Sequence, residues 1–473
     1  MSGFDRWSWA PPVAPWSCSN DLRRLRVDFD ALVLSRLQFA FTVAFHILFP
    51  SLTIGLAAFL LVLEVHWIAT GNRIYEQLYR FWLKLFALAF GLGVVTGLVL
   101  SYEIGTNWGR FSAMTGNVIG PLMGYEVLSA FFLEAGFLGV MIFGINRVGK
   151  YPHLFATAMV SLGTLVSMFW ILSANSWMHT PAGYALSNGK FIVMDWWTMI
   201  FNPSFPYRLA HMATATFLSS AMFVSGVSAW YLLRKRHIDF ALRGLSLAMW
   251  MVLVAAPSQI FIGDLHGLNT LKHQPMKVAA MEGNWTTMRG MPLMLFAIPD
   301  QERATNHFEI GIPRLGSFIL KHDLDGEVAG LDQVAPEDRP PVAVVFYSFR
   351  LMLGLGVFMV LLASAGLYLR LRGRLQSSKL FHRLCVLGTP AGFAAILAGW
   401  VVTEVGRQPW TVHGLLRTRD STSLVGRDVV ATSLGLFALV YGILMVAFLF
   451  YLARLIARGP HDVEQQYPQI AAH

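Results

Sequence analysis

The sequence predicts an all-α membrane protein whose chain crosses the bilayer nine times. Three observations predict it. Of 473 residues, 55% are hydrophobic and only 13% are charged, against about 25% charged in an average soluble domain. Mean hydropathy is +0.53. Several apolar runs reach the roughly 20 helical residues that cross a hydrocarbon core about 30 Å thick. Too many runs have that length for a large soluble protein with buried helices.

Residues 1–37 form an N-terminal tail, broken by prolines and charges, that does not read as a secretory signal. Helical spans are expected at 39–65, 82–104, 121–145, 154–176, 208–233 and 243–262, making 38–262 the first membrane region. The single long polar segment follows at 263–342; a connection of that length is usually functional or a linker. Spans at 345–369, 384–403 and 430–453 make up the second region, 343–453, and 454–473 is a tail. Cys18 and Cys385 are too far apart in sequence to suggest a disulfide framework or a metal pattern.

The net charge of +9 does not indicate nucleic acid, because the basic residues sit mostly in short loops, where they orient the chain. The loops after odd-numbered spans hold Arg73 and Arg80, Arg147 and Lys150, Arg234 to Arg236, and Arg370 to Lys379. Arg454 and Arg458 follow the last span on the same side. That bias predicts a cytoplasmic C-terminus, with the N-terminus and long loop outside. Arg23, Arg24 and Arg26 in the tail argue weakly the other way.

Ionisable groups inside spans are costly and are functional candidates by default. His46, Glu126, Glu134, His211, Arg350, Met352 and Glu404 stand within or at the ends of spans. All except Glu134 are expected near the outer surface, although they are scattered over some 360 positions of sequence. Imidazole, thioether and carboxylate can each ligate haem iron: His with Met makes a six-coordinate electron carrier, and a single ligand leaves a site for oxygen. Each residue also has a plainer reading: a packed histidine, a core methionine, an interhelical pair. Glu126 and Glu134, eight positions apart, are expected about 80° apart around their helix. Physical reading alone reaches a membrane redox or transport protein with an outward-facing site.

The motifs go further. SRLQFAFTVAFH (35–46), IGTNW (104–108), KVAAMEGNW (277–285), IPDQ (298–301), FRLM (349–352) and GWVVTEVGRQPW (399–410) together resemble subunit I of cytochrome bd-type quinol oxidases. The resemblance runs in order from about residue 34 to 453, and GRQPW with a Glu two residues before it is its most specific part.

The resemblance implies two four-helix bundles plus a peripheral helix. It implies that His211 and Met352 are the axial pair of a low-spin haem b. His46 and Glu404 would ligate two high-spin haems, one haem b and the other haem d or a third haem b, without saying which ligand holds which iron. Glu126, Glu134 and Ser167 match positions tied to haem ligation or proton delivery, and Lys277 and Glu282 match quinol-site residues of the long loop. Arg350, Trp400 and Arg407 match residues near the haems, where an arginine neutralises a propionate. The implied reaction oxidises membrane quinol and reduces dioxygen to water, building a proton gradient without pumping. The implied partners are a haem-free subunit II and, in some members, a small accessory subunit.

Two departures stand out. Relatives read MEFQFGTNW where this chain reads LSYEIGTNW, so Ser101 replaces a Glu and Glu103 arrives two residues later. A two-residue step turns a helix by about 200°, so Glu103 should not inherit that role. The stretch after IPDQ is also short, which resembles the short-loop, cyanide-insensitive class. The rival reading is a proton-coupled secondary transporter, whose site would be expected near the midplane on broken helices. A two-haem quinone-linked cytochrome b would need His pairs on shared helices, and these are missing.

Overall fold

The computed structural model describes residues 30–460; Cys18 and Arg23, Arg24 and Arg26 lie outside the described residues. Among those residues nine helices are long and apolar enough to cross a membrane. They are α1 (Ala31–Thr70), α2 (Arg73–Asn107), α3 (Gly109–Phe143), α4 (Lys150–His179), α5 (Phe205–Leu233), α6 (Ile238–His273), α7 (Val342–Leu371), α8 (Lys379–Val405) and α9 (Arg427–Arg458). All but α3 contain their expected spans; α3 starts earlier and ends at Phe143, two residues short of the expected 145, while α6 continues to His273 into the stretch expected as loop.

Local chemistry sets the first hairpin. Asp30 caps α1 by accepting from the Val33 amide at 2.8 Å. Gly71 ends it at φ +65, a left-handed turn that glycine takes without a Cβ penalty. Asn72 then caps α2 through the Ile74 amide at 3.0 Å. The two helices lie antiparallel along a core that includes Leu56, Leu60, Trp82 and Phe86.

Packing yields two bundles and an outlier. α1 to α4 pack with one another, α5 to α8 form the second group, and α1 and α4 meet α5 at the seam. α9 packs mainly against α1 and α2, with its end held by the Tyr231 hydroxyl of α5, which donates to the Ile456 carbonyl, and 6% of its most apolar window is buried. The long segment is compact rather than structureless. It begins with a short helix, Pro275–Glu282, continues into an antiparallel strand pair, Leu293–Asp300 with Thr305–Ile312, and leads back to α7.

Candidate functional site

A cavity of about 1530 Å³ opens inside the helices, larger than the roughly 300–1,000 Å³ that holds one drug-sized molecule. It gathers wall residues from eight helices, α1 to α8, and the long segment. His46, Glu126, Glu134, Ser167, His211, Met352, Trp400 and Glu404 all line it, with Lys277, Glu282 and Arg407 from beyond the spans. Arg350 is the exception. Its guanidinium donates to the Met281, Met294 and Phe346 carbonyls and pairs with Glu282 at 3.3 Å. Arg350 thus ties the long segment to α7.

His46 is held by its neighbour on α2. Its Nδ1 lies 2.9 Å from Thr96 Oγ1, and Thr96 donates its own hydrogen to the Leu92 carbonyl at 2.9 Å. The threonine oxygen must then accept from His46, which fixes the Nδ1–H tautomer and leaves Nε2 as a lone-pair donor. A Cβ on Gly97 would stand 3.2 Å from the imidazole, so the glycine lets it lie flat on α2.

His211 is packed similarly against α6. A Cβ on Gly263 would stand 3.2 Å from its Cε1, and Gln259 Nε2 lies 3.1 Å from its Nε2. His266 meets it edge-on at 5.3 Å. Met352 of α7 packs against α8, where a Cβ at Gly399 would fall 2.8 Å from its sulfur.

Glu404 sits in the densest polar cluster. One carboxylate oxygen accepts from Asn175 at 2.9 Å and lies 3.2 Å from His179 Nε2; the other pairs with Arg407. Lys277 Nζ lies 3.1 Å from His179 Nδ1, so this lysine is buried beside Glu404 rather than exposed on the loop. Arg208 is buried too. Among the described residues, Arg208 Nε and the Arg407 Nε and Nη1 atoms have no hydrogen-bond partner. Two permanent guanidinium charges thus face one carboxylate. Burial, reinforced by Lys277 and Arg407, pushes the neighbouring His413 down to about 4, so it adds no charge.

A π-helical segment, Glu126–Phe131, interrupts α3 between its two glutamates. Such a bulge inserts one residue and so takes back about 100° of rotation. The expected 80° separation falls to about 20°, and both carboxylates reach the cavity. Ser167 donates to Glu126 at 2.7 Å, while Glu134 packs on Gly163.

Sequence reading missed Arg208, His179, Asn175, Gln259 and His266. Arg208 stood one helical turn before His211, and Asn175 and His179 are one turn apart; both spacings were legible as shared faces. Ser101 lines the cavity and Glu103 does not. Glu103 is buried, accepting from Thr42 at 2.5 Å, as the 200° argument required.

Fold and wall together are those of a polytopic membrane protein built around one large cavity with buried cationic groups on its wall. The family profile of cytochrome bd terminal oxidase subunit I matches residues 34–460, and the chain belongs to that family. It is 36% identical to cytochrome bd ubiquinol oxidase subunit 1 of Bacillus subtilis (strain 168), over 92% of this chain and 96% of the relative. Cytochrome bd-II ubiquinol oxidase subunit 1 of Escherichia coli (strain K12) is 31% identical over 93% and 99%. A solved bd oxidase from Geobacillus thermodenitrificans superposes with a TM-score of 0.86 at 29% identity, covering 91% of this chain and 99% of that one. None of these relatives supports the transporter reading.

Proposed function

We propose that this chain is the haem-bearing subunit of a terminal oxidase that takes electrons from membrane quinol and reduces dioxygen to water. The observation that carries the reading is the unpaired arginine charge around Glu404, on the wall of a cavity too large for one small ligand. A buried charge without a partner costs several kcal/mol, and haem brings two propionates to supply the missing anions.

The donor set fits the iron as well. His211 and Met352 are assigned to low-spin haem b; His46 and Glu404 to two high-spin haems, one b and the other d or b. Bound there, haem supplies electron transfer and the open iron position at which oxygen binds. For Glu404 to ligate, one carboxylate oxygen must leave Arg407 or the Asn175–His179 side, freeing Arg407 for a propionate. Trp400, one turn before Glu404, shapes the same wall.

Lys277 and Glu282 are assigned to the quinol site at the roof of the cavity. Burial, with Arg208 next in effect, holds Lys277 well below the usual lysine range. Burial raises Glu282 above the usual carboxylate range, and Arg350 opposes it. Both shifts run toward neutral pH, where a base best accepts a proton from quinol. Glu126, Ser167 and Glu134 hold protons for water formation at the cavity floor.

The protein is a multi-pass bacterial membrane protein. The proposed orientation places the long segment and N-terminus outside and the C-terminus in the cytoplasm. Quinol protons then leave outside while water takes its protons from inside, so charge separates without a pump. A haem-free subunit II is the proposed partner on the exposed apolar faces, and a small accessory subunit is compatible with them.

A reduced-minus-oxidised spectrum of membranes expressing both subunits tests the reading. A low-spin b band, a high-spin component and quinol-driven oxygen uptake are expected. Membranes with no haem signal overturn it.

A further inference from the structure

α4 ends on His179, and this one residue touches two other parts of the chain at three points. Its backbone carbonyl accepts from Gln274 Nε2 at 3.0 Å, and Gln274 opens the short helix Pro275–Glu282. Its Nδ1 lies 3.1 Å from Lys277 Nζ on that same helix. Its Nε2 lies 3.2 Å from Glu404 Oε1 near the end of α8. The imidazole is 0% exposed, so bulk water does not compete for either nitrogen. The helix that carries Lys277 and Glu282 is thus linked to Glu404 by hydrogen bonds through one ring. Ala279, Ala280 and Val402 pack in one apolar cluster, which holds that helix and α8 at a fixed separation.

The hydrogens in this chain all point one way. Glu404 accepts from Asn175 at 2.9 Å on the oxygen nearest His179 and pairs with Arg407 through the other, so it is an ionised acceptor. An ionised carboxylate donates nothing, and His179 Nε2 must carry the hydrogen. The neutral ring then has its lone pair on Nδ1, which accepts from Lys277. Gln274 Oε1 lies 3.4 Å from the same nitrogen; it is the longer contact and has no hydrogen to give. Hydrogen bonds in series reinforce one another at low dielectric. A lysine donating to Nδ1 therefore strengthens Nε2–H as a donor to Glu404.

The two donors on Glu404 Oε1, Asn175 and His179, both belong to α4. They hold that oxygen, and the oxygen on Arg407 is the one that turns free when the guanidinium takes a propionate. Hydrogen bonds to a ligating carboxylate draw electron density from it and so tune the metal it binds. A weaker donor at His179 makes Glu404 the stronger ligand, which favours the higher oxidation state of iron.

We propose that His179 is a positioning residue that couples the quinol site to Glu404: a ligand that draws Lys277 away from the ring lowers the reduction potential of the high-spin haem that Glu404 would hold. The coupling rests on the oxidase reading and on the roles assigned above to Lys277 and Glu404. The ring stays neutral throughout, and no proton changes owner. The effect is reciprocal, as any coupling between two binding equilibria must be. A quinol-site ligand that disfavours reduction is itself bound more weakly, by the same factor, once the haem is reduced.

The test is a spectroelectrochemical titration of the purified two-subunit complex, with and without a saturating hydroxyquinoline N-oxide as a redox-inert quinone analogue. Calorimetry follows binding of the analogue separately, so that lost binding is not read as lost coupling. In the wild type the high-spin midpoint is expected to fall by roughly tenfold in the reduction equilibrium, about 59 mV for one electron. His179→Phe keeps a planar ring but neither hydrogen bond; it should retain haem, start from the lowered midpoint and show no further shift. His179→Gln offers one donor and one acceptor, as the neutral ring does, and should restore the shift without a titratable group. If His179→Phe does not assemble, His179→Asn replaces it, being too short to span both partners. An unmoved midpoint in the saturated wild type, a shift that survives in the Phe or Asn variant, or a Gln variant that binds the analogue without a shift overturns the coupling and leaves the oxidase reading standing. A wild type that does not bind the analogue removes the quinol-site assignment and the coupling with it. A wild-type complex with no high-spin haem overturns the reading beneath both.

Discussion

His46 and Thr96 form a directed pair: the threonine gives its hydrogen to the Leu92 carbonyl and can only accept from the histidine Nδ1, 2.9 Å away. The imidazole is therefore set with its Nε2 lone pair free. Thr96→Val removes the acceptor without changing the volume much. Outer-sphere losses of this type cost about 10–100-fold in metal affinity. Haem content titrated in the purified complex should show one high-spin component weakened by about that factor, and Thr96→Ser should restore it. Unchanged haem retention in Thr96→Val would show that the tautomer plays no part in ligation.

His211 and Met352 should stand or fall together. Both line the cavity, each packed on a glycine that lets it approach the next helix. His211→Ala or Met352→Leu is expected to remove the low-spin haem band and quinol oxidation at once, as read in reduced-minus-oxidised spectra. Gly263→Ala, which brings a methyl to 3.2 Å from His211 Cε1, should shift that band rather than abolish it. A low-spin spectrum intact in either ligand variant sinks the assignment.

Glu404 separates two roles. Its oxygens are shared among Asn175, His179 and Arg407, which an ion pair alone would explain. Gln is nearly isosteric but a far weaker iron ligand. A ligand role predicts that Glu404→Gln retains the low-spin haem, loses or alters a high-spin haem, and drops oxygen consumption to near zero. An ion-pair role predicts full haem content with a modest stability loss, measured as a lower melting temperature. Normal oxygen uptake in the variant ends the ligand assignment.

Glu282 should leave its mark on the pH profile of quinol oxidation. It accepts a proton only when ionised, and burial has raised its pKa, so the rate should fall as pH drops through that raised value. Arg350, 3.3 Å away, is the group that opposes the rise. Arg350→Gln should therefore move the acid limb to higher pH, and Glu282→Gln should lower the rate with haem content intact and remove that limb. Lys277→Ala belongs in the same experiment, but its burial against His179 and Gly406 predicts some disturbance near Glu404 as well. Wild-type quinol oxidation by both Glu282→Gln and Lys277→Ala would move the quinol site elsewhere.

The sequence by itself determined the nine spans and the residue types that could meet iron. Hydrophobic length is a local property, and a bilayer of fixed thickness converts it directly into helices. The motifs around His46, Met352 and Glu404 were legible for a similar reason, since each is a short run with its polar residue at a span end. Even the failure of Glu103 to reach the cavity followed from helical rotation. Tertiary structure decided what lay across helices or depended on one irregular turn. The π segment in α3 turned Glu126 and Glu134 onto one side, which a regular 3.6-residue period could not foresee. Arg350 became a clamp on the long segment because the carbonyls of Met281 and Met294 fold back onto it. Arg208 and His179 joined Glu404 only when α4, α5 and α8 came together. The Glu64–His153 contact likewise joins residues 89 apart in sequence. Each of these depends on which helix faces which, and packing between helices sets that where hydropathy within one helix cannot.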